Sequence, residues 1–320
     1  MGVSANTNET YDVTTIREDL QDALVSISPT ETPVMSAIGR KNVNNTYFEW
    51  GVVDLAAASG SNRVIEGEAA PGNDAPTNAV RQANYTQISD KVVEVSDTAN
   101  AVKGAADAQT TAKQIAYKLK ELKRDMEKMI CDNVAASAGA SGTARQTAGL
   151  PAFLRTNVSR GTSGADGTTS GTGTAGYVNA AATDGTARAI TESLLKTVIA
   201  DCWDAGAEPS LVICGSSQKQ TISTFTGNST KFKEITDKTL SAAIDIYVSD
   251  FGELQIVPSR LSRTRDVLVL DPNYARVAYL QPTTQKELSR TGHAERRLIS
   301  VEYGLQVDNE AAHGAVADVS

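Results

Sequence analysis

The residues able to do chemistry in this chain are few and badly placed for it. There are two histidines, His293 and His313. Neither belongs to an H-E-x-x-H helix, and no Cys/His cluster has the spacing of a zinc tetrad. Both are read as structural or exposed side chains. Cys131, Cys202 and Cys214 form an odd set without metal spacing, as expected for buried thiols in a reducing compartment. Gly171-Thr172-Gly173-Thr174-Ala175-Gly176 matches the dinucleotide fingerprint G-x-G-x-x-G letter for letter. That chemistry needs a buried strand before the glycines and a helix N-terminus after them to receive the pyrophosphate. Here the motif lies inside a Gly/Thr/Ser tract, so it is rejected. Cys214-Gly215-Ser216-Ser217-Gln218 runs from a strand into a helix like a nucleophile elbow. It lacks the second glycine of G-x-S-x-G and a nominated histidine, and the serines are read as helix caps. There is no G-x-x-x-x-G-K-[S/T] loop. No catalytic, cofactor or metal residue is assigned, and the chain is expected not to be an enzyme.

Composition narrows the classes further. Of 320 residues, 40% are apolar and 21% charged, enough for a packed core and too apolar for global disorder. Aromatics make up 5%, which suits an extended molecule better than a compact enzyme. The net charge of −8 argues against a dedicated nucleic-acid binder, which needs clustered cations, but not against enclosing DNA. Met1-Gly2-Val3-Ser4-Ala5-Asn6 shows no basic-then-apolar leader, and no run approaches the ~18 apolar residues of a membrane span. No membrane partner is expected.

The elements that would carry function follow from periodicity. Thr15 to Glu18 reads as a capping box opening a helix with Ile16, Leu20, Leu24 and Ile27 on one stripe. Pro33 opens a short helix that Gly39 closes. Residues 47–55 read as a strand, and about Tyr85 to Val95 as the next. Between them, residues 56–80 have only Val64, Ile65 and Val80 as large apolar side chains. Hairpin loops ordinarily have ~2–5 residues, and ordering one this long costs roughly 1 kcal/mol or more per residue. A segment with no core of its own is either mobile or laid on another molecule. The longest helix is expected over about 108–135, with Ile115, Leu119, Leu122, Met126, Met129 and Ile130 as its apolar stripe and a surplus of Lys and Arg elsewhere. Residues 159–187 read as a flexible Gly/Thr-rich insertion or linker. An α/β pattern follows: a helix capped by Thr191, a buried strand Leu211–Cys214, a helix from Ser216 to Thr226, and strands at 244–248, 254–257, 267–270 and 275–280. The alternation of Ile299, Val301, Tyr303, Leu305 and Val307 marks the last strand.

Several segments, in order, resemble the major capsid proteins of tailed bacteriophages with the Hong Kong 97 fold, in the branch that includes short-tailed phages. Pro29-Thr30-Glu31-Thr32-Pro33-Val34-Met35-Ser36-Ala37-Ile38-Gly39 is similar to the family's entry segment. Trp50, Asp54-Leu55-Ala56, Asn62, Glu66-Gly67 and Arg81 fall as in its extended loop. Asn84-Tyr85-Thr86-Gln87-Ile88 and Val95-Ser96-Asp97-Thr98 resemble the returning strand, and Glu121-Leu122-Lys123-Arg124-Asp125-Met126-Glu127 resembles the long spine helix. Late matches are Val248-Ser249-Asp250-Phe251-Gly252-Glu253, Leu270-Asp271-Pro272 and Ala311-Ala312-His313-Gly314. In Leu288-Ser289-Arg290-Thr291-Gly292-His293-Ala294-Glu295, His293 stands where the family carries an acidic residue.

The resemblance implies an α+β Hong Kong 97-type fold. Its parts would be an N-terminal arm with entry helices (1–46), an extended E-loop hairpin (47–96), and the spine helix with its peripheral domain (97–158). The insertion (159–187), an α/β axial domain (188–282) and peripheral return strands (283–320) would follow. It implies a shell built from copies of the chain as hexamers and pentamers around double-stranded DNA. The partners would be portal, scaffold and decoration proteins, and the place a virion assembled in the bacterial cytoplasm. Trp50, Asn62, Arg63, Glu66, Glu68 and Arg81 become candidates for intersubunit contact, and Lys113, Lys118 and Lys123 for the lumen. An encapsulin-like compartment of the same fold is the alternative; an enzyme using residues 188–280 is a third reading.

Overall fold

A computed structural model describes residues 30–67, 69, 75–102, 110–225, 246–290 and 292–320. The expected helix at Thr15 to Ile27 lies outside them, as does Glu68. Three sheets and six helices are present among the described residues.

The first sheet is built on the longest strands. β1 (Gly39–Asn42), β12 (Ala275–Glu287), β13 (Ala294–Val307) and β4 (Gln87–Ser96) lie side by side in that order. Ile299, Val301, Tyr303, Leu305 and Val307 are all buried, as their alternation predicts, and β13 extends five residues earlier than expected. β12 is irregular around Pro282, where the register to β13 shifts between Gln281 and Thr284; proline cannot donate to the ladder. Helix α3 (Thr111–Ile130) packs on β4 and β13 through Leu122, Met126 and Ile130. Short helix α1 (Pro33–Ala37) is tied to it: both carboxylate oxygens of buried Glu127 accept backbone N–H bonds, from Val34 and Met35, each 2.8 Å. Helix α2 (Asp97–Ala101) follows β4 and is capped by Ser96.

The second sheet runs β5 (Val158–Ser159), β14 (Gly314–Val316), β11 (Val267–Leu270), β8 (Leu211–Cys214), β10 (Gly252–Pro258), β9 (Ile246–Ser249). β8 and β11 are apolar at every position because each separates two cores. Leu211, Ile213, Leu268 and Leu270 face the core shared with the first sheet. Val212, Cys214, Val267 and Val269 face the core under helix α5 (Glu192–Asp204). Thr191 caps α5 by accepting from Leu194 N–H, and Gly206 ends it at φ +90°. Helix α6 (Ser216–Ile222) begins at Gly215 with no side-chain cap, so the serines are not caps as expected. The Gln218 side chain folds over Gly215 instead, and its amide donates to the Thr264 carbonyl.

The third sheet changes two expectations. β2 (Tyr47–Val52) pairs antiparallel with β3 (Val80–Tyr85), Tyr47 opposite Tyr85 and Val52 opposite Val80. The partner of the first strand is therefore residues 80–85, and most of the expected strand 85–95 is β4 of the first sheet. The switch occurs at buried Thr86, whose N–H donates to the Thr46 carbonyl and whose hydroxyl donates to Glu302. β3 also pairs with β7 (Gly176–Ala180), and β7 with β6 (Thr168–Thr169). Residues 159–187, expected to be a flexible linker, thus supply two strands. Polar anchors hold the tract, Arg263 and buried Asp318 above all. Asp318 accepts the Gly161 N–H (3.0 Å) and the Gly185 N–H (2.8 Å) and pairs with Arg265 (3.0 Å). Arg263 binds Asp184 in the tract and Asp266 beside β11, holding the Asp184 carboxyl below its ordinary range. Helix α4 (Leu150–Phe153) lies between this sheet and β13. No described helix is long and apolar enough to cross a membrane.

Candidate assembly surfaces

The residues singled out for chemistry are occupied structurally. His313 is fully buried; its Nδ1 accepts from the Asp271 N–H at 3.3 Å, and burial pushes its pKa down to about 4. His293 is exposed, and its carbonyl accepts from the Asp97 N–H. The three cysteines are free and buried. Burial raises the Cys202 thiol to about 12 and the Cys214 thiol to about 11, far from thiolate reactivity. The glycine motif is the hairpin between β6 and β7. Gly171 N–H donates to the Ala175 carbonyl, Gly173 and Gly176 have positive φ, and a strand follows where a cofactor would need a helix. Among the described residues, no group of three or more His, Cys, Asp or Glu is placed to hold a metal ion.

The hairpin of β2 and β3 is a stalk for a long connection. At its base the Tyr47 and Tyr85 rings meet at a tilt with centroids 4.9 Å apart, and Tyr177 of β7 meets Tyr85 edge-on at 5.1 Å. Trp50 points inward, 9% exposed, against Phe48 and Phe153. Alternation along β2 puts positions 48, 50 and 52 on the buried face, so Trp50 belongs to this chain's own core. Asn62, Arg63 and Glu66 are exposed on the connection. Arg81 lies on the stalk, 3.9 Å from Glu49, a solvent-facing pair of little energetic weight. The more telling residues there are apolar: Leu55 is 84% exposed, Val64 70% and Ile65 77%. In the sequence Val64 and Ile65 stand out only as scarce apolar positions; only the structure shows that both are largely exposed.

Helix α3 distributes its charges unevenly. Lys118 pairs with Glu121 (2.8 Å), Asp125 with Lys91 of β4 (2.6 Å), and Glu127 with α1. Lys113 is half-buried and Lys123 exposed. Residues five apart step by about 140° around a helix. Lys113, Lys118 and Lys123 therefore leave the helix in different directions.

The same architecture recurs in known shell proteins. The family model of the SU10 major capsid protein matches residues 4–320. The major capsid protein of Escherichia phage Phieco32 is 41% identical over 105 residues, 32% of this chain and 29% of that relative's length. A structure from Mycobacterium phage Adephagia superimposes with TM-score 0.62 at 10% identity, covering 99% of both chains. The capsid structure of Cyanophage P-SCSP1u gives TM-score 0.62 at 10% identity over 100% of this chain and 97% of that one. The holo-SrpI encapsulin complex of Synechococcus elongatus gives 0.57 at 11%, over 98% and 96%. At such identities the structural likenesses speak for the fold, which is α+β and of the Hong Kong 97 type. With its family model matched almost end to end, the chain belongs to the SU10 major capsid protein family.

Proposed function

We propose that this chain builds the icosahedral shell of a tailed phage as hexamers and pentamers, with double-stranded DNA enclosed and without catalysis. The connection at 53–79 lies across a neighbouring copy. One observation carries this: Leu55, Val64 and Ile65 are displayed on a segment with no core beneath it. Burying each such side chain is favourable by roughly 1.5–3 kcal/mol, which offsets the entropy of ordering the loop only when a second molecule supplies the surface. Asn62, Arg63 and Glu66 would form the polar surround of that contact, and Arg81 its base. Portal, scaffold and decoration proteins are the further partners of such a shell, and the host bacterial cytoplasm the place of assembly. A compartment shell would share the fold; the family match across residues 4–320 favours the phage.

Deleting residues 57–79 tests the reading. It leaves four residues to close the hairpin between Val52 and Val80, a normal loop length. The expected result is a folded, soluble chain that forms no shells by electron microscopy. Normal shells from this deletion would overturn the role of the loop.

A further inference from the structure

The three acids of α3 are all compensated away from its outer surface, by Lys118, by Lys91 and by the backbone of α1. Lys120, Arg124 and Lys128 are not compensated in turn. They recur every four residues, so they form one row that drifts by only about 40° per step and advances about 6 Å each time. Tyr117 extends the row toward the N-terminus, making it about 17 Å long. It lies opposite the stripe of Leu122, Met126 and Ile130 that packs on the first sheet. Lys120 and Lys128 are exposed, and Tyr117 is 40% exposed. Arg124 is half-buried, with its Nε lacking a hydrogen-bond partner. None of Lys120, Arg124 and Lys128 forms an ion pair among the described residues. In a chain of net charge −8, an uncompensated basic row on the most regular element is complementary to a polyanion.

We infer that the row Lys120, Arg124 and Lys128 contacts the phosphate backbone of the enclosed double-stranded DNA, without reading its sequence. This rests on the shell reading above. The lysine ammoniums are point charges on flexible stems that suit phosphates in many registers, and each phosphate neutralised releases counterions. Three contacts per subunit are weak singly and are multiplied over a shell, while the rest of the acidic chain leaves the DNA free to move.

The test uses shells from the full chain, wild type and Lys120→Gln/Lys128→Gln, intact or osmotically opened, with a short DNA duplex as probe. Lys286→Gln, an exposed lysine on β12, is the control. Affinity is measured between about 50 and 200 mM salt, where each phosphate contact contributes about 0.9 to the slope of log affinity against log salt. Opened wild-type and control shells should bind the duplex and intact ones should not, and the double variant should lose about 1.8 from the slope. An unchanged slope, or equal binding by intact and opened shells, would overturn the inference. So would a double variant that fails to assemble while the control assembles, because the row would then be a protein contact. If the wild-type chain forms no shells, the shell reading itself fails and this inference with it.

Discussion

Replacing Glu127 with alanine should detach α1 from the spine helix. Val34 and Met35 each donate a backbone N–H to this carboxylate at 2.8 Å, and all three residues are buried. The truncated side chain leaves both N–H groups without an acceptor, at about 1–3 kcal/mol each. Against this stands the cost of holding the charge: burial raises the Glu127 carboxyl above its ordinary value, partly opposed by the two N–H bonds. The net loss expected is therefore about 2–3 kcal/mol, toward the low end of the two-bond range. Glu127→Gln keeps one acceptor oxygen and removes the charge, so it should lose about 1 kcal/mol. Urea unfolding of the unassembled chain measures both, and hydrogen exchange at Val34 and Met35 shows whether α1 has come loose. Because the folded chain holds the Glu127 proton more tightly than the unfolded one, this group's contribution is present at acid pH. It is lost as pH rises through the raised value. The Gln variant should lack that increment. A Gln variant as unstable as the alanine variant, or an alanine variant within about 0.5 kcal/mol of wild type, would refute the account.

Two further outcomes follow from buried groups. His313 has its pKa lowered to about 4, so the unfolded chain binds its proton first as pH falls. Stability should decline by up to about 3 kcal/mol between pH ~6.5 and ~4, and acid unfolding of His313→Gln should lack this component. Gly304 of β13 lies beneath Phe48, where a Cβ would stand 2.8 Å from Cε1 and 3.0 Å from the Tyr85 carbonyl. Gly304→Ala should cost about 1–3 kcal/mol by overpacking, measured by thermal unfolding, with partial recovery on adding Phe48→Leu.

Regular elements were the legible part of the sequence, since local periodicity encodes which face each one buries. The α3 stripe, the alternation of β13, the apolar run of β8 and the Thr191 cap of α5 all appear where the pattern puts them. The oversized connection after β2 was legible for the same reason, as a place where no periodicity exists. What tertiary structure decided are matters of partner choice. Nothing local tells residues 80–85 to pair with β2 while 87–96 cross to β13; the buried turn at Thr86, held by Thr46 and Glu302, decides it. Nothing in a Gly/Thr tract announces order, because its anchors, Asp318 and Arg263, stand 75 or more residues away in sequence. That Trp50 points inward follows only once alternation along β2 is fixed to a particular core. Which cations of α3 pair within the chain follows only once its acids have found their partners. Sequence alone therefore determined that an unsupported loop and a basic helix exist; only folding determined which side chains on them are left to meet another molecule.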